Sequence, residues 1–385
     1  MTITYKDLTS TRSDISNDSL IHMMRGLAIL AVIIHHWILF MPHQSSINVN
    51  NQIAEILQIF AGTVVHIFFI ISGWGLTLSY LKKEHFSWSA WVKRRFRKII
   101  LPYWLIVTLT FLLINMGHRL FPKFLESNYS WLSLISYLTF TRNFYSPGWS
   151  MNPTLWFMPV IVLLYAVFPI LIRTLERYGI VALLIISAVI TYGSITLCII
   201  IGYPVTHQTA LFLFYVIEFS FGILIGYMYH YNANLLNQLS NFKMFCLGIG
   251  FYAISFLMIK FWKLGSLYND LFTALGVFLL TRYFCQWLHR LSKDIIIKIL
   301  TLISKESYFM YLIHGALILF LIKPLLMRLP SYPLNSLTMI LLSVVYCVFI
   351  FILARIISES VKLTTKLDDF VKSQKSSHSR EGGSP

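Results

Sequence analysis

Long apolar runs separated by short polar stretches fill most of the sequence, at 21–41, 56–81, 99–117, 155–172, 180–201, 210–229, 244–262, 271–287, 308–327 and 336–357. About 20 apolar residues carry a helix across a bilayer, and helices satisfy their own backbone polar groups in hydrocarbon. The pattern predicts an all-α, polytopic membrane bundle of about ten transmembrane helices. Arg282 interrupts the run at 271–287, and Trp131–Phe140 is apolar but too short to cross. That short segment reads as a half-helix or an interfacial helix. Around the membrane domain at 20–358, residues 1–19 are expected to be a cytoplasmic N-terminal segment and 359–385 a disordered cytoplasmic tail. The polar start, Met1 to Ser19, does not read as a cleaved leader.

Composition sharpens this picture. Of 385 residues, 57% are hydrophobic and only 12% charged, against about a quarter charged in soluble domains. A soluble globular enzyme is excluded, and so is a disordered chain, which lacks the apolar content to bury a core. Lys and Arg total 31 against 15 acidic residues, a net +16. In a soluble protein that excess would point to nucleic acid; in a membrane protein basic residues collect in cytoplasmic loops, and no nucleic-acid partner is expected.

Pro42–Ile53 and Gly202–Thr209 carry no Lys or Arg, whereas Lys82–Lys98 carries seven and Arg282–Lys305 several. Even-numbered loops and both termini are therefore expected in the cytoplasm, with Arg119, Lys123 and Arg142 in the 118–152 loop departing from the trend. The four cysteines (Cys198, Cys246, Cys285 and Cys347) are scattered singly, in no spacing that marks a disulfide framework or a metal site.

Ionisable residues inside a span are costly unless partnered, and so mark candidate functional positions. The first helix has His22, Arg25, His35 and His36. Arg25 and His36 differ by eleven residues, which places them on one face about 16 Å apart; His35 points some 80° away. A neutral imidazole is suited to take a proton near neutral pH, although a buried histidine also serves as a hydrogen-bonding partner between helices. Glu218 is the acid deepest within a span, a candidate partner for a histidine or arginine.

Arg94, Arg95, Arg97 and Lys98 cluster in "WVKRRFRKIILPYW". Guanidinium forks match phosphate geometry, and the same residues also fit topology signalling. Ser307, Tyr308, Tyr311 and His314 form a third polar group, the last three spaced by three residues. Ser72 and Gly73, set among aromatics in the second run, read as a close helix contact.

These segments resemble, in order, the landmarks of the acyltransferase-3 family of integral membrane O-acyltransferases. "RGLAILAVIIHH" resembles its first-helix motif through Arg25 and His36, and "FFIISGWGLTL" its second helix. "KRRFRKIILPYW" resembles its Arg-x-x-Arg entry to helix three through Arg94 and Arg97. "SYFMYLIH", ending at His314, resembles its late motif. One departure stands out: "LWFMPVIVLLY" has Trp156 but no glutamate where many relatives have Ser-Val-Glu. The fused esterase-like domain of some relatives is not found, so either a single membrane domain is expected to suffice or a partner to complete transfer.

The resemblance implies a multi-pass protein of the bacterial cytoplasmic (inner) membrane. It would transfer an acyl group, most simply acetyl, from acyl-CoA to a hydroxyl of a surface glycan or its lipid-linked precursor. No cofactor is expected to be permanently bound; acetyl-CoA is a co-substrate. His36 and Arg25 are the expected catalytic residues, and Arg94, Arg95, Arg97 and Lys98 the expected CoA-phosphate ligands. His35, Ser72, Trp156, Glu218, Tyr308 and His314 are expected in the substrate pocket, and no metal is expected. Homo-oligomerisation stays open. The alternative is a proton-coupled transporter or flippase of a polar or lipid-linked sugar, with the histidines as a relay; the inverted repeats of such proteins are not evident.

Overall fold

A computed structural model of the protein describes residues 17–40, 57, 59–83, 86–120, 129–144, 151–206, 209–232, 241–292, 295–328 and 336–381. The segment before Asn17, the loop Pro42–Ile53 and parts of the 118–152 loop, on which the orientation reading partly rests, lie outside them. Helices α1 (Asn17–Phe40), α2 (Val65–Leu81), α3 (Trp88–Arg95), α4 (Leu101–Leu120) and the short α5 (Trp131–Leu138) come first. Next are α6 (Phe157–Ile200), α7 (Val216–Tyr231), α8 (Asn241–Phe261), α9 (Asp270–Ser292), α10 (Ile295–Leu317) and α11 (Ser336–Glu381). Among the described residues nine helices are long and apolar enough to cross a membrane. Leu113, Val189, Ile200 and Val345 face outward, as the lipid side of such a bundle requires.

The runs at 155–172 and 180–201 lie in one element, α6. Its 44 residues would extend about 66 Å if straight, twice the hydrocarbon thickness. The helix breaks at Gly179, whose φ of 83° and ψ of −178° are open to glycine alone. Side chains on both sides of the break then meet the same turn of α7. The rings of Tyr165 and Phe219 lie 6.3 Å apart, and Ser187 Oγ donates to Ser220 Oγ at 2.7 Å. A straight helix would hold Tyr165 and Ser187 about 33 Å apart. The chain therefore doubles back at Gly179, and α6 supplies two crossings.

Small residues set the closest helix approach. A methyl group at Gly73 of α2 would strike the Phe219 carbonyl, and one at Gly222 of α7 the Ile70 carbonyl, so the two backbones are in direct contact. This is the packing read from Ser72-Gly73. Arg282 does not face lipid: it is 1% exposed, inside the bundle.

Two expectations need correction. The last helix was expected to end near 357 and give way to a disordered tail, yet α11 continues to Glu381; once a helix is nucleated and anchored, each further residue adds a bond at little cost. The third span was expected to begin at 99. Helix begins instead at Trp88, capped by Ser87 Oγ on the Ala90 amide, and passes through a π-helical turn at Phe96–Ile100 into α4.

Candidate active site

A cavity of about 1530 Å³ runs through the bundle. On α1 its wall extends from Arg25 to Phe40, about 22 Å of helical rise. Its two ends differ in charge. Arg25, Arg94, Arg95, Arg97, Lys98 and Lys305 line one; His35, His36, His66, Thr63 and Asp270 line the other.

The basic end is built around the π turn, an element frequent at functional sites. The Ile99 carbonyl within it accepts a hydrogen bond from the Tyr308 hydroxyl of α10. The arc of α3 and the π turn bearing Arg94, Arg95, Arg97 and Lys98 faces the cavity. The Arg95 guanidinium lies over the rings of Trp91 and Tyr165, at 5.8 and 5.2 Å, which holds it in place. Tyr165 in turn donates to Ser72 Oγ at 3.3 Å. Arg25 lies within electrostatic reach of Arg95 and Tyr165.

About three turns along α1 from Arg25, His36 meets His314 of α10. Its Nδ1 is 2.9 Å from the Val32 carbonyl and 3.2 Å from His314 Nε2. A carbonyl oxygen only accepts, so Nδ1 carries the hydrogen, and in the neutral ring the basic nitrogen is Nε2. The same logic applies to His314. Its Nδ1 faces the Tyr311 carbonyl at 2.7 Å and donates there, leaving the Nε2 lone pair to accept from His36. His36 is thus held in one tautomer by two acceptors. The His35 ring meets it edge-on at 5.1 Å, and Phe40 stacks on it at 5.8 Å.

His314 is wholly buried behind His36 and does not line the cavity, so its expected place in the pocket is corrected to a supporting one. Gly315 beside it abuts the Thr154 and Asn152 side chains. The Tyr311 hydroxyl donates to the Thr154 carbonyl at 2.7 Å. Asn143 Nδ2 donates to the Trp156 carbonyl at 3.0 Å, and together these bonds fix Trp156 in the wall.

Glu218 is 0% exposed and stands behind the wall, so its expected place in the pocket is corrected, while its expected pairing with a histidine is found. Its partner is His66, whose Nδ1 lies 2.9 and 3.1 Å from the two carboxylate oxygens. His66 and Asp270 are wall residues that the sequence reading passed over. His66 carried the signal of an ionisable group inside a span; Asp270 fell one residue outside the predicted run. Among the described residues no group of His, Cys, Asp or Glu is placed to hold a metal ion. The other expected residues, Arg25, His35, His36, Ser72, Arg94, Arg95, Arg97, Lys98, Trp156 and Tyr308, all line this one cavity.

A fixed-tautomer imidazole at one depth and a cluster of guanidinium groups at another can pair proton abstraction with the holding of a large anion. A family model described as an acyltransferase domain matches residues 19–359, nearly the whole chain. The chain belongs to the acyltransferase-3 family. No curated protein and no solved structure matches it. As an acyltransferase-3 protein it is a membrane acyltransferase, and the four motifs that carried the resemblance meet around one cavity. The first and third supply its wall with Arg25, His36, Arg94 and Arg97, and the second supplies Ser72. The fourth supplies Tyr308 to that wall and His314 behind it.

Proposed function

We propose that the protein transfers an acyl group, most simply acetyl, from acyl-CoA to a hydroxyl of a surface glycan or its lipid-linked precursor. It would act in the bacterial cytoplasmic membrane, with the basic end of the cavity toward the cytoplasm. The observation that carries this reading is the placement of His36 in the same cavity as Arg94, Arg95, Arg97 and Lys98, with its Nδ1 committed to the Val32 carbonyl and His314. The guanidinium groups hold the nucleotide phosphates. Arg25 and His36 are about 16 Å apart along the helix. An extended phosphopantetheine arm, two amide-linked units at ordinary bond lengths, is roughly 16–18 Å long. Phosphates at the basic end therefore bring the thioester to His36.

His36 Nε2 takes the proton of the acceptor hydroxyl as the oxygen attacks the thioester carbonyl carbon. Nδ1–H, held by Val32 and His314, steadies the imidazolium that forms, and Arg25, at the phosphate end, orients CoA. The tetrahedral intermediate collapses with cleavage of the C–S bond. The imidazolium proton passes to the departing sulfur, giving ester and free CoA.

The test is incubation of purified protein with radiolabelled acetyl-CoA and glycan acceptor. We expect labelled ester and stoichiometric CoA. His36→Ala, at unchanged expression and membrane insertion, should lose about 10²–10⁴ in rate. Normal acylation by a well-expressed His36→Ala protein would refute the role, and sugar movement without thioester cleavage would favour the flippase.

A further inference from the structure

At the end of the cavity opposite the cations, beside His36, the wall residues His66 and Asp270 take no part in the transfer described above. There Glu218 fixes the His66 ring through Nδ1 and turns Nε2 toward Asp270, whose Oδ1 is 4.0 Å away. His66 and Asp270 both line the cavity, and the Asp270 side chain keeps 27% of its surface open. A separation of 4.0 Å is too long for a direct hydrogen bond. One hydroxyl group bridges it with bonds of about 2.8 Å to each atom, accepting from Nε2–H and donating to the carboxylate.

The charge at this end is negative. One proton shared between Glu218 and His66 Nδ1 leaves that pair neutral in either position, with Nε2 still carrying its hydrogen. Ionised Asp270 then adds a charge of minus one. The neighbouring wall offers Thr63 and the rings of Trp156, Phe157 and Tyr215, surfaces suited to a polyol.

The spot is also close to the base. Gly62 of the helical stretch leading into α2 packs against the His35 imidazole, and His66 follows one turn later, about 6 Å along the axis. His35 in turn touches His36.

We propose that His66 and Asp270 form a clamp for one hydroxyl of the acceptor. Its charge favours neutral or amino-bearing polyols over those with a carboxylate or phosphate beside the accepting hydroxyl. The clamp rests on the acyl-transfer reading. It assigns specificity to two residues outside the motifs and makes Glu218 a positioning residue acting through His66.

The experiment compares wild type with Asp270→Asn and Asp270→Ser in lipid nanodiscs. Acyl transfer is measured to neutral, amino-sugar and uronic-acid oligosaccharides, and CoA binding is measured separately. Wild type should show a KM for the uronic acceptor about tenfold above that for the neutral one. Both variants should raise the neutral-acceptor KM about tenfold, as loss of a charged hydrogen bond implies, and narrow the gap between neutral and acidic acceptors. CoA should bind them as it binds wild type. Unchanged acceptor KM values with normal CoA binding overturn the clamp and leave acyl transfer standing. Loss of CoA binding in both variants also overturns it, marking Asp270 as a structural residue. A wild type that binds CoA but transfers to no acceptor overturns the acyl-transfer reading and the clamp together.

Discussion

The imidazoles of His36 and His314 meet Nδ1 to Nε2 at 3.2 Å, across 278 residues of chain. Because the Tyr311 carbonyl takes the His314 Nδ1 hydrogen, His314 faces His36 as an acceptor. This is the role that a carboxylate plays behind a catalytic histidine in serine hydrolases, here given to a neutral ring in a span where an unpaired carboxylate would be expensive. His314→Ala should lower kcat about tenfold, the worth of one hydrogen bond formed to the charged ring, and leave the KM for acyl-CoA unchanged. His314→Gln, whose amide oxygen still accepts, should recover part of the loss. A merely structural role predicts no such recovery and a drop in protein yield with either substitution. Steady-state kinetics at matched protein levels decide between them.

The basic end should behave as an electrostatic binding site. Arg94→Ala combined with Arg97→Ala removes two guanidinium groups from the cavity wall. Removing each charge-assisted hydrogen bond to phosphate should raise the KM for acyl-CoA about tenfold or more, with kcat little changed. Affinity should also fall with added salt, and fall less in the double variant. A salt series of CoA-binding isotherms measures both effects. Equal salt slopes for the two proteins would remove the arginines from phosphate binding.

Much of this was legible along the chain, and the missing parts share a cause. Spans could be read because hydrocarbon demands continuous apolar length, and Arg25 and His36 because helical phase is local. The hairpin in α6 was visible as charged residues, Arg173 to Arg177, between two apolar runs. The His36–His314 and His66–Glu218 pairings were not visible, since each joins residues more than 150 positions apart and depends on how helices rotate about their axes. Nor was the π turn: nothing in "FRKII" marks a change of hydrogen-bond register. The mistake over Asp270 was one of boundary, a helix beginning one residue before the apolar run.

The α2–α7 crossing depends on having no side chains at Gly73 and Gly222. Gly222→Ala places a methyl on the Ile70 carbonyl, and neither backbone can yield without shifting Ser72 and His66 in the cavity wall. Overpacking of this kind costs about 1–3 kcal/mol. We expect a lower unfolding midpoint in detergent and reduced transfer. Gly75→Ala, on the same helix with open space around it, should leave both unchanged. If the two substitutions behave alike, the crossing is looser than described.

Glu218 and His66 are a buried pair, and breaking such a pair differs from deleting it. Glu218→Ala leaves His66 beside an empty acceptor site and should cost about 3–5 kcal/mol, read as a large fall in the unfolding midpoint. Glu218→Gln keeps an oxygen that accepts from Nδ1 and should cost less. Replacing both residues with apolar ones of similar size, Glu218→Met with His66→Phe, removes the charges together with their desolvation penalty and should recover most of the lost stability. Transfer should stay low in that double variant, because the ring nitrogen facing Asp270 is gone. Thermal unfolding and acyl transfer measured on the same preparations separate the two contributions. If the double variant is as unstable as Glu218→Ala, the pair holds the bundle together instead of orienting a side chain toward the cavity.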